Sequence, residues 1–249
     1  MKNIFKIRFH PFFYLVVVIY VFTGHFHDFF LFLAVILFHE LGHIVGGTFY
    51  HWKIDEVLIL PFGAITIFNE WLNKPLKEEF FVAVLGPIFQ IFFYFLFKNI
   101  WNITSIHYSL LFFNLLPIIP LDGSKIIKVI FHKFFPFKKG NWFTIVCSII
   151  IIVFVTIFSL FYQFNFLLFL IFFFIVIKIY NEIKDQPLIF QKFLYERYFI
   201  FKKYRRLRKI KGKNLSKIYK DCHHLFYIGD KWYTEREILR KRFDFKDKL

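Results

Sequence analysis

Phe29-Phe30-Leu31-Phe32-Leu33-Ala34-Val35-Ile36-Leu37-Phe38-His39-Glu40-Leu41-Gly42-His43 is an apolar run that ends in two imidazoles and a carboxylate. The run continues to about residue 48, which makes it long enough to cross a bilayer as a helix of about 20 residues. On such a helix residues four apart share a face, so His39 and His43 lie one turn apart on the same side. Ionisable groups at membrane depth are costly and mark functional sites.

The rest of the chain repeats the apolar pattern. Of 249 residues 58% are hydrophobic and 43 are Phe, and a soluble domain would not carry several near-uncharged stretches of this length. Apolar runs between charges and turn residues predict six spans, at 12–23, 29–48, 79–97, 106–131, 142–161 and 165–180. The first is short for a crossing, and the last two are joined only by Tyr162-Gln163-Phe164, a tight helical hairpin. The expected class is an α-helical polytopic membrane protein with about six transmembrane helices. No small-residue cleavage site follows a short apolar region, so the N-terminus reads as retained. Cys147 lies in a span and Cys222 in a basic tail, which argues against a disulfide.

Charge sets the orientation. Lys2, Lys6 and Arg8 precede the first span; Lys53, Lys74 and Lys77 lie in the second loop and Lys133, Lys138 and Lys139 in the fourth. The alternate loops carry one Lys between them, so both termini are expected in the cytoplasm. From Lys178 onward 21 Lys and Arg face 9 Asp and Glu, a net +12 of the total +16, so most of the basicity belongs to a tail. Residues 1–181 thus read as the membrane domain and 182–249 as a basic cytoplasmic tail. In the second loop, Ile54–Leu60 and Ala64–Phe68 flank Pro61-Phe62-Gly63 and read as two short strands, a small β-rich element on the cytoplasmic side. An exposed strand edge there would suit pairing with an extended peptide.

His-Glu-x-x-His on a helix is the arrangement by which metalloproteases hold zinc, with the Glu beside the metal as general base. A catalytic zinc takes three protein ligands and keeps one open position, so a third ligand must come from elsewhere. Asn114-Leu115-Leu116-Pro117-Ile118-Ile119-Pro120-Leu121-Asp122-Gly123 breaks the fourth span with two prolines, a glycine and one carboxylate. Non-helical backbone at membrane depth must be buried in protein or line a wet cavity. His43 lies about five residues before the cytoplasmic end of its span and Asp122 about nine before the end of another running the same way. Both therefore fall in the cytoplasmic half of the membrane.

With Gly86-Pro87 in the third span and Ile7-Arg8-Phe9-His10-Pro11 near the start, these two motifs resemble the site-2 protease family of intramembrane zinc metalloproteases. The resemblance covers about residues 4–131. It implies zinc bound by His39, His43 and Asp122, Glu40 as the catalytic base, and Asn114 and Pro120 shaping a substrate channel. Within the family, the six-span layout and the Asn-x-x-Pro-x-x-Pro-x-Asp-Gly run most resemble the sporulation branch that processes pro-sigma-K. The implied partners are a membrane-associated pro-sigma-factor substrate and membrane-bound inhibitory proteins. That branch also carries a nucleotide-sensing CBS module. Here about 67 residues follow Glu182, roughly half of a CBS pair. Asp221–Asp230 and Thr234–Arg242 would then be a β-turn-β piece and a helix of a degenerate unit, and ATP a weak candidate ligand.

Tyr195–Lys211, basic with aromatic and aliphatic residues interleaved, is expected to meet anionic lipid headgroups; nucleic acid is the less favoured partner. Cys222-His223-His224 reads as polar surface, His10, His51, His107 and His132 as interfacial, and Lys125 and Lys128 as snorkelling to the cytoplasmic surface. Two other functions are compatible with polar groups at membrane depth, a metal-binding transporter and a scaffold with a decayed site. A transporter should show internal repeats and polar residues in several spans, and spans five and six have almost none.

Overall fold

The computed structural model describes residues 6–60, 63–69, 72–99, 102–162, 166–200, 202 and 204–244. Its elements run β1 (Lys6–Phe9), α1 (Pro11–Thr23), α2 (Phe26–Phe49), β2 (Ile54–Leu60), β3 (Gly63–Phe68), α3 (Leu76–Phe97), α4 (Thr104–Leu115), α5 (Asp122–Phe134), α6 (Phe137–Tyr162) and α7 (Phe166–Phe199). The tail follows as β4 (Arg206–Lys211), a 3-10 turn at Leu215–Lys217, β5 (Cys222–Ile228), β6 (Lys231–Thr234) and α8 (Glu235–Phe243).

Three described helices are long and apolar enough to cross a membrane: Phe26–Phe49, Leu76–Phe97 and, within α6, Phe137–Ser159. The 13 residues of α1 and 12 of α4 rise about 20 and 18 Å at 1.5 Å per residue, short of a hydrocarbon core of about 30 Å. The stretch expected as one span at 106–131 is two helices, α4 and α5, with non-helical backbone at Leu116–Leu121. Leu116 has φ −61° and ψ 133°, the extended conformation that a following proline imposes. Gln163 and Phe164 of the expected hairpin link, and Pro61-Phe62 of the β turn, lie outside the described residues.

The chain forms two compact units: Met1–Glu70, Glu78–Leu116 and Leu121–Ile126 in the first; Trp71–Lys77, Pro117–Pro120 and Ile127–Leu249 in the second. In the first, Leu31, Val35 and Ile36 of α2 pack with Phe93, Ile103 and Leu110, and the rings of Phe38 and Phe93 lie 4.3 Å apart. Lipid gives helices little hydrophobic reason to associate, so close backbone approach at small residues carries the packing. Gly42 shows this: a Cβ there would strike the Leu85 carbonyl of α3. The faces left outward are rich in apolar side chains, Phe30, Leu37, Leu41 and Phe49 on α2 and Phe92 and Phe95 on α3 among them.

A three-stranded sheet sits beside α2. β2 and β3 pair antiparallel as the sequence predicts, and β1 adds parallel to β2, Lys6 opposite Glu56 through Phe9 opposite Ile59. β1 was not foreseen: four residues give too short a pattern to read. In the second unit α6 and α7 pack together, and Phe137 stacks on Phe193 at 3.8 Å between ring centres. These two rings join Leu194, Ile210, Ile218, Phe226, Ile238 and Leu239 in a core that the tail shares. β4 runs parallel and β6 antiparallel to β5. Gly229 and Asp230 both have positive φ, the two-residue turn that suits a hairpin. Thr234 and Glu237 form a capping box that starts α8. As an edge strand β4 carries Arg206, Arg208, Lys209 and Lys211, charges that discourage edge-to-edge pairing.

Candidate metal centre

In α2, His39, Glu40 and His43 are 2–3% exposed, and one potential ligand atom from each lies within 4.8 Å of the others. Asp122 comes to the same place from the first residue of α5, where a helix N-terminus favours a carboxylate. Its Oδ2 is 2.7 Å from His39 Nε2 and 3.0 Å from His43 Nε2, and the two Nε2 atoms are 3.2 Å apart. The expected pair of motifs is therefore brought together, Asp122 included. Asn114 lies in the last turn of α4, and Pro120 follows a cis peptide bond two residues before Asp122.

The outer nitrogens fix the tautomers. His43 Nδ1 is 2.8 Å from the Val82 carbonyl, which can only accept, so Nδ1 carries a hydrogen and the neutral ring presents its lone pair at Nε2. Gln90 donates Nε2–H to the His107 carbonyl at 3.0 Å, which turns its Oε1 toward His39 Nδ1 at 2.9 Å. His39 Nδ1 therefore donates as well. With both rings neutral, two lone-pair nitrogens and a carboxylate oxygen converge on one point. Such a set wants a cation, and two imidazoles with one carboxylate match the donors of a catalytic zinc. The residues present fit the metal.

The surroundings support the cluster. Lys125 donates to Asp122 Oδ1 at 2.7 Å, leaving Oδ2 facing the imidazoles; this lysine turns back onto the site instead of snorkelling away. Gly86 of α3 lies against the rings, and a Cβ there would strike His43 Nε2 and come within 2.9 Å of His39 Nε2. Gly86 of the Gly86-Pro87 pair is thus the wall that lets the imidazoles fit.

Sequence reasoning missed Gln90, Thr66 and Lys125. Gln90 had a signal, a lone amide inside an apolar span, and it is fully buried; Thr66, in a short strand, had none. Four histidine and cysteine assignments are corrected. His107 and His132 are buried, not interfacial: His107 stacks on Tyr94 and His132 meets Asn141 Oδ1 at 2.9 Å. Cys222 and His224 are buried in the tail and not polar surface.

A sheet-flanked helix bearing His-Glu-x-x-His, completed by an aspartate from a broken second segment, defines a membrane metalloprotease. The sequence profile described as peptidase family M50 matches residues 28–101. Stage IV sporulation protein FB of Bacillus subtilis (strain 168) is 34% identical over 210 residues, 79% of this chain and 72% of that protein. Zinc metalloprotease MJ0392 of Methanocaldococcus jannaschii is 28% identical over 125 residues, 45% of this chain and 36% of that one. A solved site-2 protease from Methanocaldococcus jannaschii shares the fold, with a TM-score of 0.56 at 21% identity over 73% of this chain and 93% of that one. The chain belongs to peptidase family M50, the site-2 proteases. It is a metalloprotease of site-2 type, and its family and a zinc metalloprotease relative imply zinc for the His39–Glu40–His43 cluster.

Proposed function

We propose that the chain cleaves a membrane-associated protein near the cytoplasmic face, with His39, His43 and Asp122 holding zinc and Glu40 as general base. The observation that carries this reading is the convergence of Asp122 Oδ2 with the Nε2 atoms of His39 and His43, while both Nδ1 hydrogens are engaged elsewhere. Zinc in this site supplies a Lewis acid and brings the pKa of its water toward about 7. Glu40, on the same helix, accepts the proton as water attacks the scissile carbonyl and returns it to the leaving amine. Gln90 and Val82 keep a hydrogen on each imidazole Nδ1 and hold the rings turned. Asn114 and Pro120 shape the channel that receives an unwound substrate segment.

The layout belongs to the same reading: six spans, both termini cytoplasmic, a membrane domain at 1–181, a tail at 182–249, and the β1–β3 sheet on the cytoplasmic side. The distribution of Lys and Arg supports it. The likeness to a stage IV sporulation protein supports a place in sporulation; in this reading the substrate is a sporulation sigma-factor precursor, in the membrane around the forespore, under membrane-bound inhibitors. The basic stretch Tyr195–Lys211 meets anionic headgroups, and ATP is a lesser candidate for the tail.

The test uses full-length protein in membranes with a pro-sigma-factor prosegment fused to a reporter. Glu40→Gln keeps stoichiometric zinc and loses cleavage, while Asp122→Ala loses zinc. Continued proteolysis by Glu40→Gln overturns the assignment.

A further inference from the structure

Thr66 stands at the centre of β3, paired with Val57 of β2 and only 6% exposed. Its Oγ1–H donates to Glu40 Oε2 at 2.6 Å, within the 2.5–2.7 Å typical of a hydroxyl bonded to an ionised carboxylate. A second contact fixes the approach: a Cβ on Gly47 would collide with the Phe68 ring. Thr66 and Phe68 are two apart and share a face of β3; Glu40 and Gly47 are seven apart and share a face of α2. One face of the strand is thus laid on one face of the helix, with the hydroxyl meeting the carboxylate.

We propose that Thr66 is a positioning residue for Glu40, and through it the sheet takes part in catalysis. This rests on Glu40 being the general base. A Glu side chain has three rotatable bonds, and its rotamers place the carboxylate several ångströms apart. The Thr66 bond selects one of them and engages Oε2, so Oε1 is the oxygen that serves the water. A misplacement of about 1 Å at a reacting group costs on the order of 100-fold in rate. The hydroxyl does this without touching the substrate, so its loss acts on the chemical step more than on binding.

The experiment compares Thr66→Val, Thr66→Ala and Thr66→Ser in the full-length protein, against the prosegment reporter, with Glu40→Gln alongside. Thr66→Val and Thr66→Ala should lower kcat about 10- to 100-fold with KM within about twofold. Thr66→Ser, which keeps the donor, should stay within about threefold of the parent. Zinc content should be unchanged in all three. A readout apart from turnover is the affinity for acetohydroxamate, a zinc-binding probe whose acidic hydroxyl needs the Glu40 carboxylate in place. It should weaken in the Val and Ala variants and hold in Ser. Parental kcat in Thr66→Val overturns the proposal, as does a Ser variant as slow as Val, or zinc loss that accounts for the defect. If Glu40→Gln itself still cleaves, the base assignment has failed instead.

Discussion

Gln90 and His39 are joined by a hydrogen bond whose direction is set from outside the pair. The Gln90 amide is committed to the His107 carbonyl at 3.0 Å, so only its oxygen can face His39 Nδ1, at 2.9 Å. The chain from His107 through Gln90 to His39 aims a lone pair at the metal position. Gln90→Leu should therefore leave the fold in place but orphan a buried N–H. Zinc affinity should fall about 10- to 100-fold, the usual cost of losing such an outer partner. Competition between purified protein and a chromogenic chelator measures this, and unchanged affinity would remove Gln90 from the site.

Gly86→Ala makes a steric test of the same pocket. The added methyl would occupy the space of the His43 and His39 ring nitrogens. Both rings are enclosed, so they must turn off their bonds to Val82 and Gln90. Cleavage and zinc retention should fall together. Alanine suits a helix better than glycine by about 1 kcal/mol, so the helix itself is not weakened. A variant that binds and cleaves as the parent does would show that the wall yields.

Much of the centre was legible because its signals are local. Two histidines at helical spacing and a carboxylate among prolines can be read without a fold. Gln90 and Lys125 resisted because their roles depend on which atom each one meets. Lys125 follows an apolar stretch and looks like a snorkelling residue until it is seen bonded to Asp122. The burial of His107, His132 and His224 was hidden for the same reason: a polar residue near a span end or in a tail is exposed unless partners enclose it. β1 escaped because a strand of four residues is defined by its neighbour, here β2, and not by its own pattern.

Lys125 and Lys128 give a matched pair. Lys125 donates to Asp122 Oδ1 at 2.7 Å, whereas Lys128 stands 3.7 Å from Glu182. Lys125→Met should free the Asp122 carboxylate to rotate and weaken zinc binding several-fold. Lys128→Met removes the same charge from the same helix and should leave zinc binding unchanged. Equal effects in the two would mean that charge, and not the bond to Asp122, is what matters.

The tail has its own buried cluster, and its acid sensitivity follows from three groups. Glu235 accepts from Arg197 Nε, from Arg197 Nη2 at 2.9 Å and from His224 Nδ1 at 2.8 Å. The backbone N–H of Tyr219 donates to His224 Nε2 at 3.0 Å, so the ring is neutral with its hydrogen on Nδ1. Burial pushes the His224 pKa below the ordinary value near 6.5. Burial also raises that of Glu235, but the His224 bond and the Arg197 charge outweigh it and hold it below the usual carboxylate range. A folded-state pKa below the unfolded one means stability that is complete above the unfolded pKa and lost as pH falls toward the folded one. The His224 contribution should thus begin to fade below about pH 6.5 and that of Glu235 below about pH 4.3. Glu196, raised by burial, has the opposite sign, and its contribution fades only as pH rises from about 4.3 toward its folded value. Hydrogen exchange of β5 in the full-length protein should show lower protection at pH 5.5 than at pH 7.5. His224→Gln, which cannot take up a proton there, should flatten that dependence. Arg197→Met should cost about 3–5 kcal/mol at neutral pH, because it leaves the Glu235 charge buried without its partner. A pH dependence unchanged in His224→Gln would place the titration on another group.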